Sequence, residues 1–117
     1  MSTMEDPYHP ILERSWEYEI FTLSFWQWQN GEAETFIDLT LKRGDSFRHF
    51  RFLSPQGLEI EEGFPSKTGG FCILDVSGRG LDGLGVRVDD SAAGRGAVRF
   101  WARGVIEIGR FTRATEA

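Results

Sequence analysis

The sequence predicts an all-β fold, a single antiparallel sandwich or partly open barrel of about seven or eight strands that starts as a meander and contains little helix. Three observations carry this. Short runs rich in aromatic and β-branched residues alternate apolar with polar, the period of a half-buried strand. The first runs are separated by turn sequences about 12 residues apart, the rhythm of a meander. Glycine crowds the second half, with 11 of 14 beyond residue 62, where it weighs against helix.

Taken in order, residues 1–9 read as a flexible tail, and Pro10 allows a short helical turn through Ile11, Leu12 and Glu13, because proline is tolerated at a first helical position. Strands follow at 16–29 and 33–42, joined by Asn30-Gly31, whose two residues suit the positive φ angles of a type I′ hairpin. Arg43-Gly44-Asp45 turns the chain into a strand at 46–53. Ser54-Pro55-Gln56-Gly57 puts Ser, Pro and Gly where a type I turn prefers them, ahead of a strand at 57–62. Further strands are read at 71–76, 84–89, 97–103 and 105–109. At 97–106 Val98, Trp101, Ala102 and Val105 also fit a helical face, but Gly94, Gly96 and Gly104 favour strand. The domain thus spans 10–111, with 112–117 a second tail.

A two-residue loop at 30 and 31 fixes the first register. Ile20, Thr22, Ser24 and Trp26 face Leu41, Leu39, Ile37 and Thr35, and the other face pairs Glu19 with Lys42, Phe21 with Thr40, Leu23 with Asp38 and Phe25 with Phe36. That second face is also apolar, so both sides of the ribbon are expected to be dry. Either the ribbon bends or bulges so that each end packs inward on a different face, or the second face is a partner interface.

The chain of 117 residues carries a net charge of −5, unevenly divided: residues 1–62 hold 12 acidic and 5 basic side chains, residues 63–117 hold 6 and 8. Pairing of glutamates such as Glu17, Glu19, Glu59 and Glu61 with later arginines is the simplest use of that asymmetry. An acidic chain is poorly suited to nucleic acid, where a basic surface must displace counterions. No apolar run approaches the ~20 residues of a membrane helix, and the one cysteine, Cys72, suits a reducing compartment and reads as a small core residue. A cytoplasmic location follows as the expectation.

Chemistry-bearing motifs are sparse. Gly78-Arg79-Gly80-Leu81-Asp82-Gly83 matches G-x-G-x-x-G after a strand-like run, but Leu84-Gly85-Val86-Arg87-Val88 reads as another strand and not as the helix that would receive a pyrophosphate. It reads as a glycine-rich connection, with an anion-holding nest around Arg79 as the alternative. His9 and His49 have no partners at metal-ligand spacing, and every catalytic grouping would have to use His49. No catalytic residue, cofactor or metal is therefore expected. Asp75 interrupts an apolar strand; it begins a turn or meets an arginine such as Arg79, Arg87 or Arg99, unless it is a perturbed functional acid.

If 84–89 and 97–103 are neighbours, Val86, Val88, Val98, Phe100 and Ala102 point inward and Arg87, Arg99, Trp101 and Arg103 outward. Arginine beside tryptophan is the composition of interface hot spots. The candidate interaction surface is thus Phe21, Phe25, Phe36, Arg87, Arg99, Trp101 and Arg103, on a module that binds a protein partner or a second copy of itself. The alternative is a small-ligand barrel whose mouth, at the loop end near 77–83, uses Trp26, Trp28 and Arg79.

Overall fold

The computed structural model describes residues 7–27, 35–60, 71–90 and 98–112. Among these residues eight strands form two four-stranded antiparallel sheets: β1 (Glu19–Trp26), β2 (Phe36–Arg43), β3 (Ser46–Leu53), β4 (Gln56–Ile60), β5 (Phe71–Asp75), β6 (Val86–Asp90), β7 (Val98–Ala102) and β8 (Gly104–Thr112). One sheet has the order β1-β2-β3-β8 and the other β4-β7-β6-β5. The arrangement is a sandwich, and the barrel alternative is not realised. The opening meander is present, and the only helical elements among the described residues are 3-10 turns at Ser15–Glu17 and Ser77–Arg79. None is long and apolar enough to cross a membrane.

The core lies between the sheets. Ile37, Leu39, Leu41, Phe50 and Phe52 from one meet Phe71, Ile73, Val86, Val88, Val98 and Phe100 from the other, all almost wholly buried. Phe52 and Phe100 meet edge to face at 5.2 Å, joining the two layers with the ring geometry their quadrupoles prefer. The inward set foreseen on 84–89 and 97–103 is the observed one, and β6 pairs β7 as that reading required. Cys72 is not in this core: with Phe71 and Ile73 inward, strand alternation turns it outward, half-buried, its Sγ 3.5 Å from the Asp89 carbonyl oxygen.

The first hairpin departs from the expected register in one instructive way. Glu19↔Lys42 and Ile20↔Leu41 pair as anticipated, but a bulge between Ile20 and Thr22 shifts the rest to Thr22↔Thr40, Leu23↔Leu39, Ser24↔Asp38, Phe25↔Ile37 and Trp26↔Phe36. One inserted residue reverses the phase of everything after it. Leu23 and Phe25 therefore leave the outer face to join Ile37 and Leu39, while Thr22, Ser24 and Trp26 move outward. The bulge removes part of the unexplained apolar face, as the bending alternative required. It does not dry the ribbon: Phe21, Phe25 and Trp26 remain 57, 46 and 53% exposed, because β1 is an edge strand.

Other corrections are local. Trp16 and Glu17 belong to the first 3-10 turn and not to a strand. Pro7, Tyr8 and His9, expected within the tail, lie along the edge of β5: the His9 N–H donates to Ile73 and the Asp75 N–H to Pro7. At the far end β8 continues through Thr112, one residue past the expected limit of the domain. The chain crosses between sheets at Ser54-Pro55, where Ser54 takes a positive φ of 50° and its N–H is held by the Thr35 carbonyl at 2.9 Å.

Candidate functional site

The outer face of the β1-β2-β3-β8 sheet is built in three bands. At one end Phe21 meets Phe47 edge-on at 5.1 Å and Phe47 stacks on Phe111 at 4.9 Å, so rings from β1, β3 and β8 form a row, with the Lys42 ammonium 5.9 Å from the Phe21 ring. At the other end Trp26 stacks on Phe36 at 6.1 Å, and the Arg51 guanidinium covers that Phe36 ring at 3.9 Å. Between them Arg51 donates to both carboxylate oxygens of Asp38 at 2.9 and 3.0 Å, and His49 Nε2 lies 3.5 Å from the same carboxylate. Asp38 is only 8% exposed, which a bidentate guanidinium makes tolerable. A carboxylate beside His49 is the juxtaposition a catalytic reading would need. Here both Asp38 oxygens are committed to Arg51, and the pair stands on the sheet face, outside the cleft described below.

The sequence-predicted interaction residues divide between the two sheets. Phe21 and Phe36 share the first sheet's outer face but at opposite ends, and Phe25 is in phase with inward Ile37, so the three do not form one patch. Arg87, Arg99 and Trp101 are on the second sheet, whereas Arg103, expected on the same strand, lies in the connection from β7 to β8; the neighbourhood of the first three is knitted internally. Trp101 is half-buried with Arg79 and Arg87 at 5.8 and 5.2 Å from its ring, Arg87 pairs with Asp89 at 3.1 Å, and Arg99 pairs with Glu59 at 3.2 Å. Glu59 is thus the one of the four named glutamates that meets an arginine of residues 63–117 among the described pairs. Glu17 instead binds Arg14 and Arg43.

Asp75 is a turn residue. Its Oδ1 accepts from the Ser77 N–H at 2.9 Å and hydroxyl at 2.6 Å, which holds its carboxyl below the usual value. The G-x-G-x-x-G segment connects antiparallel neighbours β5 and β6, with Gly80 and Gly83 in the left-handed region at φ 71°, and no long helix follows. The segment is the glycine-rich connection between strands that its sequence indicated. The proposed ligand mouth is not assembled either: Trp26 packs on the outside of one sheet, Arg79 on the outside of the other, and Trp28 lies outside the described residues. β1, β3, β5 and β7 do end on one side of the sandwich, but backbone bonds from the Ser54 N–H to Thr35, the Gly85 N–H to Ala102 and the Arg103 N–H to Leu53 tie that side together.

A cleft of about 350 Å³ opens at the opposite end, where β2 stops, β3 starts and β8 finishes, and its lining includes Tyr18, Arg43, Ser46, Arg48, Arg110 and Thr112. Arg48 and Arg110 are directly opposed across β3 and β8, a like-charge pairing that would destabilise the sheet alone. Glu107 resolves it. Its Oε1 accepts from Arg48 at 2.9 Å and from Arg110 at 2.7 Å, and its Oε2 from the Arg48 Nε at 2.9 Å. A second bulge makes this possible: in regular strand Glu107 and Arg110, three apart, would point to opposite faces, and the extra residue at Ile108 restores them to the same side. The two guanidiniums lower the Glu107 carboxyl to about 2, and Glu107 in turn raises Arg48 above its usual value. No reading of the sequence found this triad, since Arg48 and Glu107 are 59 residues apart and the bulge leaves no local signature. Among the described residues no group of three or more His, Cys, Asp and Glu side chains could hold a metal.

Comparison with known proteins finds no match to a family model, to a curated protein or to a solved structure.

Proposed function

We propose that this is a non-catalytic β-sandwich module of the cytoplasm that works by protein–protein contact, in the first instance with a second copy of itself, through the outer face of the β1-β2-β3-β8 sheet. The observation that carries the reading is the exposure of large apolar side chains on this sheet: Phe21 57%, Trp26 53%, Ile106 47%, Ile108 40% and Phe111 56%. With about half of each 150–250 Å² side chain open, they present on the order of 500 Å² of apolar surface, at the upper range for a monomer. The face is favoured over the sheet edges, because β1 and β8 each carry a bulge, a device that discourages strand-to-strand addition.

The banding suits a two-fold partner. An axis through the central polar band would lay the Trp26–Phe36 end of one copy on the Phe21–Phe47–Phe111 end of the other, an isologous contact. The Arg51–Asp38 pair in the middle is already neutralised, so covering it costs less than covering a lone charge. Light scattering across a concentration series tests this. The wild type should move from monomer to dimer, and Trp26→Ser combined with Ile106→Lys should hold it monomeric with its unfolding midpoint nearly unchanged. A wild type that stays monomeric at millimolar concentration would end the proposal.

A further inference from the structure

A second surface, which shares Phe47 and Phe111 with the rim of the proposed dimer face, carries a separate reading. Among the described residues three guanidiniums, Arg43, Arg48 and Arg110, line the cleft, and no carboxylate does. The carboxylates that touch them are both shared: Glu17 divides between Arg14 and Arg43, and Glu107 between Arg48 and Arg110. Four guanidiniums are thus served by two carboxylates in a chain whose net charge is −5. Arg48 is tied back into the fold through three donors, its Nε and Nη2 on Glu107 and Nη2 also on the Ile11 carbonyl. Arg43 and Arg110 are different. Each spends one of its five N–H donors, at 2.9 Å to Glu17 and 2.7 Å to Glu107, and their side chains are 48 and 65% exposed.

They stand on the strands flanking the start of β3, with Ser46 between Arg43 and Thr112 in the registers of β2 and β8. Arg110 lies two residues back along β8 from Thr112, so the two backbones are about 12 Å apart, two strand spacings across and two residues along, a gap that two long side chains can close from both sides. We propose that this cleft binds the phosphate group of a small phosphomonoester, held between the free donors of Arg43 and Arg110 and completed by the hydroxyls of Ser46 and Thr112. A tetrahedral dianion has enough oxygens for two guanidinium forks and the hydroxyls together, whereas a carboxylate is satisfied by one fork. The cleft volume of about 350 Å³ exceeds a bare phosphate and leaves room for the organic body.

The test follows backbone and arginine side-chain NMR shifts as inorganic phosphate, and separately acetate, is added at low ionic strength. Phosphate should give saturable shifts at Ser46, Arg110 and Thr112, with acetate much weaker. Arg43→Gln and Arg110→Gln should each weaken phosphate about tenfold, the size of one charge-assisted hydrogen bond at a partly exposed site, and Arg87→Gln on the other sheet should leave it unchanged. Both cleft arginines are largely exposed, so these variants should melt within a few degrees of the wild type. Shifts that never saturate, that spread equally to Arg87 and Arg99, or that survive both cleft substitutions would overturn the site. Acetate binding as tightly as phosphate would overturn the assignment of ligand.

Discussion

Glu107→Gln isolates what the Arg48–Glu107–Arg110 triad contributes. The substitution keeps volume and one acceptor oxygen but removes the charge that two opposed arginines share. The Glu107 side chain is 19% and Arg48 17% exposed, so the interaction is only lightly screened on that side, while Arg110 at 65% exposure adds little. Lowering the carboxyl from 4.5 to about 2 corresponds to about 3 kcal/mol of preference for the charged form in the folded protein. Because the folded-state value is depressed, this stability is fully present above about pH 4.5 and is lost as the pH falls toward 2. The expected result is a loss of about 2–3 kcal/mol for Glu107→Gln at pH 7, measured by urea unfolding, shrinking to less than half of that by pH 3. A deficit that stays constant between pH 7 and pH 3 would mean that the residue acts by packing. No deficit at pH 7 would mean that the two arginines do not need their shared carboxylate, and the account of the second bulge would fail with it.

Two further outcomes follow from backbone and phase. A Cβ on Gly85 would lie 2.8 Å from the Arg103 carbonyl oxygen, so Gly85→Ala should cost about 2 kcal/mol or more in thermal unfolding, while Gly78→Ala in the same glycine-rich segment, with nothing within 4 Å, should be close to neutral; equal effects would refute the close approach. The β1 bulge predicts that Leu23→Ser is destabilising by about 2 kcal/mol because Leu23 packs on the core, whereas Ser24→Leu is tolerated; the reverse ranking would restore the unbulged register.

How much was legible in the sequence follows from the range of the forces involved. Alternation over four or five residues and turn glycines are local statements, and they located all eight strands, the Arg43–Ser46 turn with Gly44 at φ 62°, and the inward set from Val86 to Ala102. The Asp75 turn was readable because its partner, Ser77, is two residues away. Faces were legible only as far as the strands stayed regular. A bulge at Phe21 exchanges inside for outside over the rest of β1 at a small local cost, and what favours it is the placement of Leu23 against a core to which both sheets contribute.

The chain by itself determined that it would be β, where it would turn, and that its charge and aromatic rings would be plentiful on the surface. Tertiary structure decided that β8 pairs with β3, that Arg48 meets Glu107, and that the loop end closes while the Arg43 end stays open. The physical reason is that a strand's conformation is fixed by its own residues and near neighbours. Its partner is fixed by which distant surface can satisfy its backbone bonds, bury its apolar face and neutralise its charges together.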